Sequence, residues 1–271
     1  MSSISFDQAV SYYDATRGYP PGIEEQVADA IVQAVGATNA THFLEMGIGT
    51  GRIAFPLIKR GYPYTGVDLS QPMMDVLRVK VADYATAHAD QPAHVVDLHR
   101  ADMTALPFAD AQFDVTLMVH VMHLIPNWQD AIGEALRVLK PGGFYLNCGD
   151  DQVATPRSSA VLDLWTEIIK AQGYDPHQGF SASAQNAIAE IERRGYQPEV
   201  LRTVTWQTAI APRTMFITIA QRLWSRTWSI PNDAFATSIE RLKNELEARY
   251  GDTLDIPEQR TTQFVITRVH K

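Results

Sequence analysis

The chain has one cysteine, Cys148, among its 271 residues. A single cysteine excludes an internal disulfide framework and a zinc site built from several thiolates. Runs of basic residues are also missing, and the net charge is −8 at pH 7. Proteins that bind nucleic acids through the phosphates need clustered Lys and Arg, so we expect no nucleic-acid partner.

Long apolar segments are absent as well. No run approaches the roughly 18 residues of a membrane-spanning helix, and residues 1–14 do not show the basic and then apolar pattern of a secretory signal. We therefore expect a cytoplasmic protein without a membrane span. A chain of this length can bury a core without a structural metal, and we predict no metal site.

Glycines are instead concentrated after the apolar residues 43–46, where Gly47, Gly49 and Gly51 occupy alternate positions. A helical pattern follows them. A strand that ends in such a loop presents backbone N–H groups and a helix N-terminus to a ligand, and glycine permits a close approach. The dinucleotide fingerprint has its third glycine where this chain has Arg52. The stretch indicates a nucleoside-cofactor site without defining the cofactor.

Apolar runs and helical patterns alternate along the chain, as in right-handed βαβ units. We predict an α/β fold: a doubly wound, mostly parallel seven-stranded sheet (Rossmann-like) with helices on both faces and a helical insertion between the last two strands. The predicted strands are 41–46, 62–69, 95–98, 113–119, 144–148, 200–206 and 262–269.

The pattern changes after residue 150, and it suggests four parts. The predicted parts are an N-terminal cover and first helix (1–40), a cofactor-binding core (41–150), the remainder of the sheet domain (151–211 and 252–271) and a helical insertion that serves as a substrate lid (212–251). Aromatic side chains are frequent in the later parts. At helical spacing they are most often core residues; the alternative is an apolar or aromatic acceptor pocket.

Ligands on such sheets bind beyond the carboxyl ends of the strands, and four polar side chains fall there: Glu45, Asp68, Asp102 and His120. Asp68 has the spacing of an acid that accepts from ribose hydroxyls. Its alternative role, capping the next helix, suits Ser70 better. Asp102 is placed to accept from the exocyclic amine of a purine, or else to begin a turn.

As a set, these motifs resemble those of class I S-adenosylmethionine-dependent methyltransferases, particularly the small-molecule group (methyltransferase type 11) that includes ubiquinone- and menaquinone-type enzymes. The matching stretches are LEMGIGTG at 44–51, GVDLS at 66–70, ADM at 101–103, LPF at 106–108, HVMHL at 120–124 and RVLKPGG at 137–143. They follow one another in order between residues 41 and 148.

The resemblance implies that S-adenosylmethionine is the cofactor and S-adenosylhomocysteine the product. It places the glycine loop at the methionine and ribose, with Glu45 fixing either the loop or the amine. Tyr13 and Arg17 can then approach the methionine carboxylate. The residues that it assigns to the cofactor are Tyr13, Arg17, Glu45, Gly47, Gly49, Gly51, Asp68, Leu69, Met73, Asp102, Met103 and His120. Of these, the resemblance places Leu69 and Met73 at the border of the adenine and Asp102 at the adenine amine, with Met103 offering its backbone N–H.

Methyl transfer from a sulfonium is an in-line displacement, and it needs neither a metal nor a covalent nucleophile. The predicted function is transfer to a small organic acceptor, with oxygen, nitrogen, sulfur and carbon all open as the methylated atom. His120 and His123 are the candidate bases because they follow the fourth predicted strand. The alternatives are a cofactor or acceptor neighbour for His120 and a partly buried packing residue for His123.

Two other functions remain as alternatives. A cofactor-binding regulatory or non-catalytic protein of the same fold is one. An NAD-dependent oxidoreductase is the other, since Asp68 also suits that ribose; Arg52 in the fingerprint and the Asp102-Met103 pair disfavour it. The identity of the acceptor and the oligomeric state stay open.

Overall fold

A computed structural model describes residues 5–89, 96–153, 157–176 and 183–271. Its strands are β1 (Phe43–Met46), β2 (Tyr64–Asp68), β3 (Val96–Arg100), β4 (Phe113–Val119), β5 (Leu139–Gln152), β6 (Glu199–Ile210) and β7 (Glu258–His270). Its α-helices are α1 (Tyr13–Arg17), α2 (Ile23–Val35), α3 (Ala54–Lys59), α4 (Gln71–Ala87), α5 (Trp128–Val138), α6 (Arg157–Ala171), α7 (Ala184–Arg193), α8 (Pro212–Ala220) and α9 (Asn232–Tyr250). Short 3-10 helices span Asp7–Ala9, Met122–Leu124, Ser225–Thr227 and Gly251–Asp255.

The strands form one seven-stranded sheet in the order β3-β2-β1-β4-β5-β7-β6. The pairs β1–β2, β1–β4, β2–β3 and β4–β5 are parallel. Strand β7 runs antiparallel to β5, and Gly142 N donates to Lys271 O over 2.8 Å. This order confirms the predicted doubly wound, mostly parallel sheet. The strand order reverses beside β1, which is where such sheets bind their ligands.

The local signals in the sequence produce the elements around this point. Strand β1 is buried along its whole length, as expected for a parallel strand covered on both faces. Helix α2 ends at Gly36, whose φ of 58° closes the last turn. Helix α4 begins after Ser70, whose Oγ accepts from Met73 N at 3.3 Å. Ser70 is therefore the cap of α4, which leaves Asp68 for another role.

Strand β5 differs from its prediction. The predicted strand covers 144–148, whereas β5 extends over Leu139–Gln152 and includes the Pro141-Gly142-Gly143 stretch. Pairing explains the extra length. Leu139 pairs with Phe113 of β4, and Val153, just past the other end, donates to Thr261 O of β7. Neighbouring strands thus extended β5 beyond its apolar core.

The chain divides into two compact units. The first comprises Met1–Asp150, Ala182–Val204 and Phe264–Lys271. Its core contains Leu44, Met46 and Met118 from the sheet together with Trp128 and Ile132 from α5. This unit holds the glycine loop and every residue assigned to the cofactor.

The second unit comprises Asp151–Ser181 and Thr205–Gln263. It is larger than the predicted insertion at 212–251, because α6 shares a core with α8 and α9. Trp165 of α6 is fully buried, and its Nε1 donates to Ser238 Oγ of α9 at 3.1 Å. Its ring also meets that of Phe235 edge-on, with centroids 6.3 Å apart. Both aromatic side chains are core residues, and the lid function stays a prediction.

Within the described ranges, no helix combines the length and the apolar character that crossing a membrane requires.

Candidate functional site

The glycine loop folds over the end of β2. Gly47 N and Ile48 N both donate to Val67 O, at 2.8 and 3.0 Å. Gly47, Gly49 and Gly51 have φ angles of 87°, 54° and 80°, which a side chain would strain. A Cβ on Gly47 would lie 2.5 Å from Val121 Cγ1 and 3.4 Å from Met103 Cε. Segments that follow β3 and β4 therefore meet at this loop, as the sequence predicts.

Asp68 ends β2 and is fixed by the backbone around it. Its Oδ2 accepts from Gly49 N at 2.9 Å, and its Oδ1 accepts from Ser70 N at 2.8 Å. Burial raises the pKa of Asp68, against the lowering effect of these N–H donors. Each carboxylate oxygen keeps a further lone pair. The side chain is therefore oriented at the strand end with acceptor capacity left for ribose hydroxyls.

Asp102 follows β3 and has one oxygen in a turn. Its Oδ1 accepts from Thr104 N at 2.9 Å and from Thr104 Oγ1 at 2.8 Å. The hydrogen bonds of the described residues leave Oδ2 open. The turn interpretation is therefore confirmed for Oδ1, and a contact between Oδ2 and an adenine amine stays a prediction.

Glu45 is the most deeply buried acid of the site, with 2% of its surface exposed. Tyr64 Oη donates to its Oε2 at 2.8 Å. Burial raises the pKa of Glu45 to about 8, with Tyr64 and Arg52 opposing the shift. The carboxyl group thus takes up a proton readily beside the loop, and a cationic ligand would favour its ionised form.

The N-terminal segment is tied to the glycine loop. Thr50 Oγ1 donates to Asp14 Oδ1 at 2.5 Å, and Arg52 donates from a terminal guanidinium nitrogen to Arg17 O at 2.9 Å. The Arg52 guanidinium also stacks on the Tyr19 ring, 4.8 Å from its centroid. Helix α1, which carries Tyr13 and Arg17, is therefore held beside the loop. Their contact with a methionine carboxylate stays a prediction.

Leu69 lies between β2 and α4, and Met73 belongs to the first turn of α4. Met73 is buried, and its Cε would lie 3.6 Å from a Cβ on Gly49. Leu69 directly follows Asp68 and is half-buried, and its carbonyl accepts from Arg100 Nε at 3.1 Å. Met73 therefore packs against the loop, and the contact of Leu69 and Met73 with an adenine stays a prediction.

The two histidines occupy different environments. His120 directly follows β4 and has a φ of 54°, a conformation that costs energy for any residue except glycine. Its Nε2 lies 3.0 Å from Asp150 Oδ2. His123 is exposed in the 3-10 helix Met122–Leu124, so its interpretation as a partly buried packing residue is wrong. Of the two, His120 is the one that lies at a strand end beside the loop.

Three residues of this cluster were not expected from the sequence: Tyr19, Arg52 and Asp150. The sequence marks Arg52 only as a departure from the dinucleotide fingerprint, and Asp150 only as a boundary. A signal was present for Asp150, since it closely follows the predicted strand 144–148 and lies near the carboxyl end of β5, the strand next to β4. The sequence carries no such signal for Tyr19, because its contacts depend on how the N-terminal segment packs against the glycine loop.

The residues fit an adenosyl cofactor. Asp68 follows β2, the glycine loop follows β1, and Asp102 with its open Oδ2 follows β3. These three strands are neighbours in the sheet. A side chain in place of Gly47 would collide with Val121, so the loop requires glycine there. Among the described residues, no group of three or more His, Cys, Asp or Glu side chains is arranged to hold a metal ion.

Comparison with known proteins identifies the family. Residues 44–147 match the family model described as a methyltransferase domain. The chain is also 30% identical over 191 residues to the ubiquinone/menaquinone biosynthesis C-methyltransferase UbiE of Ruegeria sp., a match that covers 67% of this chain and 74% of that relative. Two further relatives with the same name are matched over 63% of their length. The chain therefore belongs to the family of UbiE-like, S-adenosylmethionine-dependent methyltransferases.

Solved structures agree on the fold. The YcgJ protein from Bacillus subtilis has a TM-score of 0.57 at 18% identity, with 90% of this chain and 97% of that chain covered. A phosphoethanolamine N-methyltransferase from Haemonchus contortus, solved with S-adenosylhomocysteine, has a TM-score of 0.52 at 17% identity and covers 98% of this chain and 57% of that chain. The family identifies the cofactor as S-adenosylmethionine.

Proposed function

We propose that this enzyme methylates a small organic acceptor with a hydroxylated aromatic ring, of the phenol or hydroquinone kind. The observation that carries the proposal is that the carboxyl ends of β2, β3 and β4 converge on the glycine loop after β1. His120 follows β4, the strand next to β5. The acceptor class is inferred from the relatives, because their names describe methylation of carbon in ubiquinone and menaquinone biosynthesis.

The residues of the site would hold the cofactor beside the end of β4 that His120 follows. Asp68 would bind the ribose hydroxyls, Asp102 the adenine amine, and Glu45 would be the acid nearest to the methionine part. Bound S-adenosylmethionine supplies a methyl group that the sulfonium already activates for displacement. The protein therefore contributes mainly positioning in a site that excludes water, an effect that can lower the barrier by roughly 7–11 kcal/mol.

A base next to the acceptor adds a second contribution. Deprotonating a ring hydroxyl makes both that oxygen and the adjacent ring carbons better nucleophiles. His120, which follows β4, would be the base of this step, and general-base catalysis of this kind contributes about 10²–10⁴ in rate. His123, which is exposed, stays a second candidate for the same role.

The experiment uses S-adenosylmethionine with an isotopically labelled methyl group and four acceptors in parallel: a hydroquinone, a catechol, a primary amine and a thiol. We expect label in the hydroquinone or the catechol, and mass spectrometry with NMR distinguishes ring-carbon from oxygen methylation. Transfer to the amine or the thiol alone would contradict the proposed acceptor class.

Cofactor binding is measured separately by calorimetry with S-adenosylhomocysteine. Asp68→Ala should weaken binding strongly. Asp75→Ala is the matched control, because Asp75 is an exposed acid on α4 that contacts Gln71 and Arg78 on the surface. Equal affinities of the two variants would refute the role of Asp68.

A further inference from the structure

His120 is held in an unusual way for a residue at the end of a strand. Its φ of 54° lies in the left-handed region, and its N–H donates to Cys148 O of β5 at 3.2 Å. Strained backbone of this kind persists only where the surroundings impose it, and it is concentrated at functional sites. Here the conformation turns the ring toward β5, where a Cβ on Gly149 would lie 3.9 Å from His120 Cε1.

Asp150, two residues beyond Cys148, lies next to this ring. Its Oδ2 is 3.0 Å from His120 Nε2, and its Oδ1 accepts from Tyr19 Oη at 3.4 Å. The side chains of His120 and Asp150 are 32% and 21% exposed. One carboxylate thus bridges the histidine and a tyrosine of the N-terminal segment.

The buried Nε2 nitrogen of His120 has no hydrogen-bond partner among the described residues, although Asp150 Oδ2 is only 3.0 Å away. A buried N–H without a partner is unfavourable. A small rotation of the ring aims Nε2 at Oδ2, because the two atoms are already within reach. Asp150 is therefore the acid available to orient this imidazole.

We propose that Asp150 is a positioning residue for His120: it keeps the proton on Nε2, so that Nδ1 accepts the proton of the methyl acceptor. The inference rests on the proposed function, and it extends that function to a residue which the family match at 44–147 does not reach.

The proton and electron balance is simple. His120 takes the acceptor's proton at Nδ1 while the electron pair of the acceptor forms the bond to the methyl carbon, and the sulfur keeps the pair of the bond that breaks. The imidazole then carries two N–H groups and a positive charge. The Asp150 carboxylate compensates that charge from 3.0 Å.

Two neighbours keep Asp150 in this role. Burial raises the pKa of Tyr19 far above its ordinary value, so its hydroxyl stays protonated and donates to Oδ1. Arg52 stacks on the same tyrosine, 4.8 Å from the centroid of its ring, and so holds Tyr19 beside Asp150. Cys148 is also close, but burial raises the pKa of its thiol, which therefore stays neutral.

The test reads the imidazole protons directly and needs no acceptor. Protein labelled with ¹⁵N-histidine is studied by long-range ¹⁵N–¹H correlation, without and with S-adenosylhomocysteine, and His120→Gln identifies the signals. We expect the proton on Nε2 and none on Nδ1. In Asp150→Asn the Nε2 proton should exchange with water at least tenfold faster. Asp151→Asn, which removes the adjacent exposed acid, should leave the exchange unchanged.

Calorimetry with S-adenosylhomocysteine on the same samples separates the two proposals. If the wild-type protein does not bind it, the proposed function fails. If it binds, a proton on Nδ1 of wild-type His120, or equal exchange in Asp150→Asn and the wild type, overturns the role of Asp150 and leaves the function intact. If Asp150→Asn does not fold, Asp150→Glu replaces it, and partial protection of the Nε2 proton is the expected result; no protection would contradict the inference.

Discussion

Glu45 allows the electrostatics of the site to be tested without any ligand. Its carboxyl group is 2% exposed, and burial raises its pKa from the ordinary 4.5 to about 8. Glu45→Gln keeps the shape of the side chain and an oxygen that accepts from Tyr64 Oη. The substitution removes only the group that must lose its proton inside the protein.

The direction in which stability changes with pH follows from the protons that the folded and unfolded states bind. Between pH 4.5 and 8 the folded protein keeps the Glu45 proton that the unfolded chain has released, so the wild-type stability falls as pH rises. At about 1.36 kcal/mol per pKa unit, the loss from this group between pH 6 and 8 is about 2 kcal/mol. The variant has no such loss. Its stability relative to the wild type should therefore rise by about 2 kcal/mol over that interval.

Urea unfolding of both cofactor-free proteins at pH 6, 7 and 8 measures this difference. Glu192→Gln, in which an exposed glutamate of α7 is replaced, is the control and should follow the wild type at each pH. A constant difference between Glu45→Gln and the wild type from pH 6 to 8 would show that Glu45 is already ionised in the folded protein, and the argument from burial would be refuted.

Three further predictions concern the same unit. Gly66→Ala places a Cβ 2.2 Å from Ile48 Cδ1 and should cost about 1–3 kcal/mol of stability in urea unfolding; an unchanged midpoint would contradict the close packing of loop and β2. Glu190 is buried between Arg193 and Arg194, and hydrogen bonding to Arg193 lowers its pKa to about 2. Glu190→Gln should therefore be less stable than the wild type at pH 7, and the difference should vanish as pH falls from 4.5 toward 2; a difference that persists in acid would argue against the ion pair. Asp68→Asn should weaken S-adenosylhomocysteine binding by about 1.5–3 kcal/mol per charge-assisted bond lost, as calorimetry will show.

The sequence predicted the sheet and the strand-end residues well, for a physical reason. Buried parallel strands are continuous apolar runs, and the residue that ends each run must lie at the carboxyl edge. The side chains of Asp68 and Asp102 could therefore be placed before their contacts were known. Ser70 as a cap and Gly36 as a helix end follow equally local rules.

What the sequence missed depends on contacts between distant segments. The stacking of Arg52 on Tyr19 joins two loop residues from distant parts of the chain, and no periodicity indicates it. The left-handed backbone conformation at His120 could not be predicted, because such a conformation is usually indicated by a glycine. The second unit was underestimated because the burial of Trp165 against α9 couples α6 to a segment that begins about sixty residues later.

A crystal structure with S-adenosylhomocysteine tests the central claim most directly. We predict ribose hydroxyls on the Asp68 carboxylate, the adenine amine on Asp102 Oδ2, and the sulfur directed toward the His120 side of the site, with a void beside it for the acceptor. A ribose bound away from Asp68, or a sulfur that faces away from His120, would contradict the assignment of this site.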